Sequence, residues 1–231
     1  MIQTDNLFMA SHLDLEEQEQ LAELKHFWKT YGNLISWVLI VILGAYAAWN
    51  GYQYWQRTQS AKASALYDEV EKAVAANDAS RVQRSLADMK DKFASTHYAH
   101  QAGLLAARSL YAQGKTDQAK ATLSWVAESA PTPALKDVAR LRLAALLWES
   151  KALDESLKQL NATFTPEMSG LASDMRGDVL QAKGQSAEAI AAYQQAWKQM
   201  PASSEYRRMV QAKLSALGVQ VAADTPAETA K

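Results

Sequence analysis

Gly114-Lys115-Thr116-Asp117-Gln118-Ala119 recurs 70 residues later as Gly184-Gln185-Ser186-Ala187-Glu188-Ala189, and the agreement runs outward on both sides. Upstream, Ala107 answers to Gly177; downstream, Leu123, Val126 and Pro131 answer to Tyr193, Ala196 and Pro201. The spacing is twice a period of about 35 residues, and a weaker copy fills the gap with Ala144, Lys151, Asp154-Glu155-Ser156 and Leu160. Its distances to its neighbours, 37 and 33 residues, imply small loop insertions. In each unit a first helix ends near a Gly or Lys and a polar turn. Ala119, Ser156 or Ala189 then allows close helix approach, and Leu123, Leu160 or Tyr193 fills the gap between hairpins. One hairpin cannot bury its apolar face alone, so about three or more must stack.

This helix–turn–helix period, with small residues at the helix contacts and a closing proline, is similar to the tetratricopeptide repeat. The expected fold class is therefore all-α, a tetratricopeptide-like α-solenoid of helical hairpins over residues 57–218. A more degenerate pair, Ala61–Ala76 and Ser80–Phe93, precedes the clear repeats, with Val82, Leu86, Met89 and Phe93 at helical spacing. Ser204–Leu217 reads as a C-terminal capping helix stopped by Gly218. Residues 219–231, small and polar with Pro226, are expected to form a disordered tail.

Before the repeats, the 27 residues from Thr30 to Gln56 contain no Asp, Glu, Lys or Arg. Their apolar centre, Leu34 to Ala45, is flanked by Trp28 and Tyr31 on one side and by Tyr46, Trp49, Tyr52, Tyr54 and Trp55 on the other. A bilayer core of about 30 Å needs roughly 20 helical residues, and aromatic rings with polar tips suit its interfaces. The stretch is expected to be a single N-terminal transmembrane helix with aromatic flanks. Gly44 followed by Ala45-Tyr46-Ala47 has the small-x-small form of a signal-peptidase site. Against cleavage, the 29 preceding residues are long and acidic where a signal peptide is short and basic. An uncut anchor is the reading. Lys25 and Lys29 before the span nearly balance Arg57 and Lys62 after it, so charge leaves the orientation open. Within the span, Ser36, Ile40, Gly44 and Ala48 recur at i+4 as a ridge of mostly small residues, where a partner helix is expected to dock.

Composition narrows the chemistry. The net charge is −1, with −4 on residues 1–29 and +3 on the rest, so no basic field suggests nucleic acid. Absence of cysteine excludes thiol catalysis, disulfides and Cys-based zinc sites. No phosphate-binding glycine loop and no nucleophile elbow occurs. Of four histidines, His97 and His100 sit three apart, with Asp91 the nearest acid; a solvated helix start is favoured over a metal site. The expectation is a binding protein, not an enzyme, with no cofactor.

Stacked hairpins curve, and their first helices line the concave side. Carrying the repeat register along the chain, the candidate polypeptide-binding groove comprises Leu104, Arg108 and Tyr111, then Leu141, Ala145 and Trp148, then Leu171, Asp174, Asp178 and Gln181. That mixture suits loosely selective capture of extended or partly folded polypeptide. Trp148 and Tyr111 fit a core role equally well, and both readings stay open here.

Several runs carry a wider resemblance from Asp14 onward. Glu16-Glu17-Gln18-Glu19-Gln20 leads through Leu24-Lys25-His26-Phe27-Trp28-Lys29 into Tyr31-Gly32-Asn33, and Gly51-Tyr52-Gln53-Tyr54-Trp55 leaves the span. Tyr98-Ala99, Leu141-Arg142-Leu143-Ala144 and Arg176-Gly177-Asp178 follow in the repeats. In order and spacing these resemble the YfgM-like ancillary SecYEG translocon subunit family of Gram-negative bacteria. The resemblance implies an inner-membrane protein with residues 1–29 as an acidic cytoplasmic tail and the repeat domain in the periplasm. It implies association with the SecYEG translocon and with a PpiD-like membrane-anchored periplasmic chaperone, assisting newly exported, unfolded proteins. A scaffold of another envelope assembly machine, or a cytosol-facing regulatory adaptor, are the rival readings. The middle repeat departs from the usual pattern at Lys151 and Ser156, and the C-terminal tail is longer than usual.

Overall fold

Alanine-rich segments with few Gly and Pro favour helix, and the computed structural model, which describes residues 15–221 and side chains from residue 19, is all-helical over that range. In chain order the helices are α1 (Leu15–Ala75), α2 (Ala79–Phe93), α3 (His97–Ala112), α4 (Thr116–Ser129), α5 (Pro133–Glu149), α6 (Leu153–Leu160), α7 (Pro166–Ala182), α8 (Ser186–Gln199) and α9 (Glu205–Ala216). Residues 1–14 of the expected acidic tail and 222–231 of the expected C-terminal tail lie outside the described residues. The chain divides after Gln56 into two units.

The first unit carries the apolar part of α1. Leu34, Trp37, Val38, Leu39, Ile40, Val41, Ile42 and Leu43 are all exposed. α1 contains a segment long and apolar enough to cross a membrane. Two of its polar side chains bond within the helix, as suits a lipid environment: the Thr30 hydroxyl donates to the His26 carbonyl at 2.9 Å, and the Asn50 amide to that of Tyr46 at 3.0 Å. Aromatic pairs Phe27–Tyr31 and Tyr52–Trp55 sit at either end, ring centroids 5.1 and 6.1 Å apart.

In the second unit each helix from α2 onward packs on its sequence neighbour, and the first helices of successive hairpins meet as α3·α5 and α5·α7. This is the expected solenoid. Its turns share one device. Asn77, Gly114, Lys151 and Gly184 all take left-handed backbone, with φ of 51°, 74°, 63° and 77°. The residue after each then donates its N–H to the carbonyl five positions back: Asp78 to Ala73, Lys115 to Leu110, Ala152 to Leu147 and Gln185 to Leu180, at 2.8–3.0 Å. Glycine adopts this conformation freely; Lys151 does so at a steric cost of about 1–2 kcal/mol. The turn at Asn77 joins the end of α1 to α2, so the degenerate first pair is a hairpin of the same kind.

The close approaches lie where the repeat places small residues. Ala119, Ser156 and Ala189 are fully buried. Ser156 meets the requirement for a partner inside a core by donating its hydroxyl to the Ala144 carbonyl at 2.8 Å. At Gly177 the contact is closer still: a Cβ there would stand 2.4 Å from the Tyr193 ring. Larger apolar groups complete four clusters, around Val82–Leu86–Met89, Leu110–Leu123–Val126–Leu143, Leu160–Val179 and Tyr193–Val210–Leu214.

One expectation is corrected at the C-terminus. Val219 and Val221, assigned above to a disordered tail, pack against the Tyr193–Val210–Leu214 cluster. Gly218 (φ 78°) turns the chain back, and the Val219 N–H bonds the Leu214 carbonyl at 2.9 Å. The two valines thereby extend the cap made by α9.

Candidate functional site

A groove of about 350 Å³ lies between the first helices α3 and α5. Ala107, Leu123, Ala145 and Leu146 give it an apolar lining; Arg108, Tyr111 and Arg142 supply its polar groups. Three of these, Arg108, Tyr111 and Ala145, are among the ten candidates from the repeat register. Tyr111 ties the two helices together, its hydroxyl donating to Glu149 Oε2 at 2.5 Å. That hydrogen bond, then the burial around it, raise the phenol's pKa. Arg108 and Arg142 are exposed and have no ion pair or hydrogen bond among the described residues.

The other seven candidates are placed elsewhere. Leu104 packs against the Leu110–Leu123–Val126 cluster. Leu141 and Trp148, seven residues apart and so on one helix face, pack on Ala144, Leu160 and Val179. Leu171 borders a separate cavity of about 680 Å³ with Met200, Pro201 and Tyr206. Gln181 is exposed near the end of α7.

Asp174 and Asp178 are engaged inside the domain. Lys213 of α9 reaches both oxygens of Asp174 at 2.9 and 2.8 Å, and those of Asp178 at 2.8 and 2.7 Å. The Tyr206 hydroxyl donates to Asp174 at 2.7 Å, and that of Tyr193 to Asp178 at 2.8 Å. Burial first, then these acid partners, push both phenol pKa values far above the ordinary tyrosine range. The Asp174 side chain is only 2% exposed. These two acids clasp α9 to α7, each already held by Lys213 and a tyrosine hydroxyl.

His100 also departs from expectation. His97 is exposed at the start of α3, but His100 is fully buried, stacked on Trp125 with ring centroids 4.5 Å apart. The reason is that α3 turns this face onto α4. Its Nδ1 lies 3.0 Å from the Thr96 carbonyl and its Nε2 3.1 Å from the Ser129 hydroxyl. Burial lowers its pKa, keeping the ring neutral. Among the described residues no three His, Cys, Asp or Glu side chains converge as metal ligands would.

Arg142 and Leu146 escaped the repeat register. The signal was present: Arg142 precedes Ala145 by three positions and Leu146 follows it, which puts all three along one helix flank. In the first unit, Ser36, Ile40, Gly44 and Ala48 are all exposed, and a Cβ on Gly44 would meet nothing within 4 Å.

Comparison with known proteins adds a second line. Residues 25–219 match the tetratricopeptide repeat-like domain family. The ancillary SecYEG translocon subunit of Neisseria gonorrhoeae (strain ATCC 700825 / FA 1090) is 32% identical over 210 residues, 90% of this chain and 100% of the relative. Proteins of the same description from Haemophilus influenzae and Escherichia coli K12 are 27% and 26% identical, each over 88% of this chain and 98% and 97% of their own lengths.

Proposed function

The chain belongs to the ancillary SecYEG translocon subunit family of tetratricopeptide repeat-like proteins, and from that premise we propose that it is a membrane-anchored adaptor of the Sec translocon that captures newly exported polypeptide. The span within Thr30–Gln56 anchors it in the inner membrane, with the N-terminus cytoplasmic and the repeat domain periplasmic. The domain works beside the channel and a PpiD-like membrane-anchored chaperone, receiving unfolded segments as they emerge. The α3–α5 groove is the point of capture.

The observation that carries this reading is the pairing of one lipid-compatible helix with a helical-repeat domain that offers an open, mainly apolar groove. Such a groove binds any one client weakly. Tethering beside the channel raises the effective client concentration to the millimolar range typical of short linkers, which converts weak affinity into capture. The small-residue ridge Ser36–Ile40–Gly44–Ala48 is the docking face toward a translocon helix.

In-cell cross-linking through a photoreactive residue at position 44 tests the assignment. Recovery of translocon subunits or of the isomerase-like chaperone is the expected result. Recovery of the protein itself and nothing else would replace translocon docking by self-association. Protease digestion of sealed spheroplasts should cleave the repeat domain from outside; full protection would place it in the cytosol and end the reading.

A further inference from the structure

We propose that the α3–α5 groove selects extended client segments in which an acidic side chain lies among small aliphatic ones, the carboxylate being held between Arg108 and Arg142. This deepens the proposed function and rests on it. The groove's charge is one-sided: its lining includes two arginines and no acid. Neither guanidinium has an ion pair or hydrogen bond among the described residues, whereas Arg176, Lys183 and Lys213, elsewhere in the domain, are engaged. Glu149, seven residues from Arg142 on the same helix and about 10 Å along its axis, is held by Tyr111. It does not line the groove and is not a partner of either arginine.

The apolar lining sets the rest of the preference. Half-buried Ala145 and Leu146, over the buried Ala107 and Leu123, give an apolar floor that small aliphatic side chains can cover. A guanidinium is planar, weakly hydrated and matched in shape to a carboxylate, so it gains most beside a surface that excludes water. A nucleic-acid phosphate would use the arginines and leave the lining wet. The groove is open to solvent, so a chain can enter and continue past it; the carboxylate is therefore that of an internal side chain, not of a chain end.

The test uses the full chain in detergent micelles and fluorescence anisotropy with three labelled nonapeptides. The first is C-terminally amidated, with two glutamates among alanine and leucine. The second is its glutamine twin. The third is the glutamine twin with a free C-terminal carboxylate. The glutamate peptide should bind about ten-fold tighter than its twin, as a charge-assisted contact to arginine implies. R108Q and R142Q should each remove a part of that preference, and the double variant all of it. R108K/R142K keeps the charge without the planar fork and should retain part of the preference. R140Q, on the same helix but in a different cavity, should leave it unchanged. Equal binding of the two twins would overturn acid selection while leaving capture in the groove standing. Binding of none of the peptides would overturn both. Tight binding of the third peptide alone would overturn the side-chain assignment, and an R140Q effect as large as R108Q would reduce the arginines to diffuse charge.

Discussion

Replacing Lys213 by methionine isolates the clasp that holds the last helix to the solenoid. Methionine keeps the length and apolar stem of lysine and removes only the ammonium. In the native domain that ammonium lies within 2.9 Å of both oxygens of Asp174 and within 2.8 Å of both oxygens of Asp178. Without it, two carboxylates one turn apart face each other, and one of them is 2% exposed. Breaking a buried ion pair by removing one partner costs about 3–5 kcal/mol. Two features pull the cost to the lower end: each acid keeps a tyrosine hydroxyl, and Lys213 and Asp178 are 25% and 22% exposed. The expected loss is about 3 kcal/mol, or a fall of about 6–12 °C in thermal midpoint for a domain of this size. Far-UV circular dichroism during heating reads it. Asp174→Asn in the Lys213→Met background should recover much of the loss, because the buried charge is then gone. A loss below about 1 kcal/mol would mean the cluster behaves like a solvated surface pair, and the clasp argument would fall.

Four further outcomes follow from the packing and the buried groups. Gly177→Ala should destabilise by about 1–3 kcal/mol in chemical denaturation, since the new Cβ would meet the Tyr193 ring at 2.4 Å. Lys151→Gly should stabilise by about 0.5–1 kcal/mol, because it relieves a left-handed side-chain clash at φ 63°. Ser156→Ala should cost about 1 kcal/mol or less, as the Ala144 carbonyl stays inside its helix, whereas Ser156→Leu should disrupt the α5–α6 contact in the same assay. His100 has its pKa lowered by burial, so the unfolded chain takes up a proton first on acidification. Its contribution is present above the unfolded value of about 6.5 and is eroded as pH falls through the lower folded value. Thermal midpoints measured across that window should fall more steeply for the native chain than for His100→Asn.

The solenoid was legible because its signals are local. A residue such as Gly114 or Gly184 marks its own turn, and Ala119 or Ala189 marks its own helix contact, without reference to distant parts of the chain. Even Lys151, which breaks the glycine pattern, kept its place in the count and proved to adopt the glycine conformation. The candidate site was less legible because a groove depends on which flank of a helix is left uncovered. The register placed Leu141 and Trp148 on the first helix of their hairpin, but α6 and α7 cover that flank. The register could not show that Asp174 and Asp178 face Lys213, since the lysine comes from a capping helix outside the repeat. Val219 and Val221 escaped for a similar reason: two valines in a polar tail carry no periodicity, and only the turn at Gly218 brings them onto the core.

The chain of left-handed turns has a consequence for how the domain is made. Because α2 to α9 contact chiefly their sequence neighbours, no hairpin waits for a partner synthesised much later. Contacts of this kind carry little loop-closure entropy and form quickly. A polypeptide threaded start-first through a narrow passage could therefore assemble one hairpin at a time as it emerges, each new turn at Gly114, Lys151 and Gly184 folding onto a surface already in place. Lys213, on the last helix to arrive, would close the stack by tying α9 back to the acids of α7.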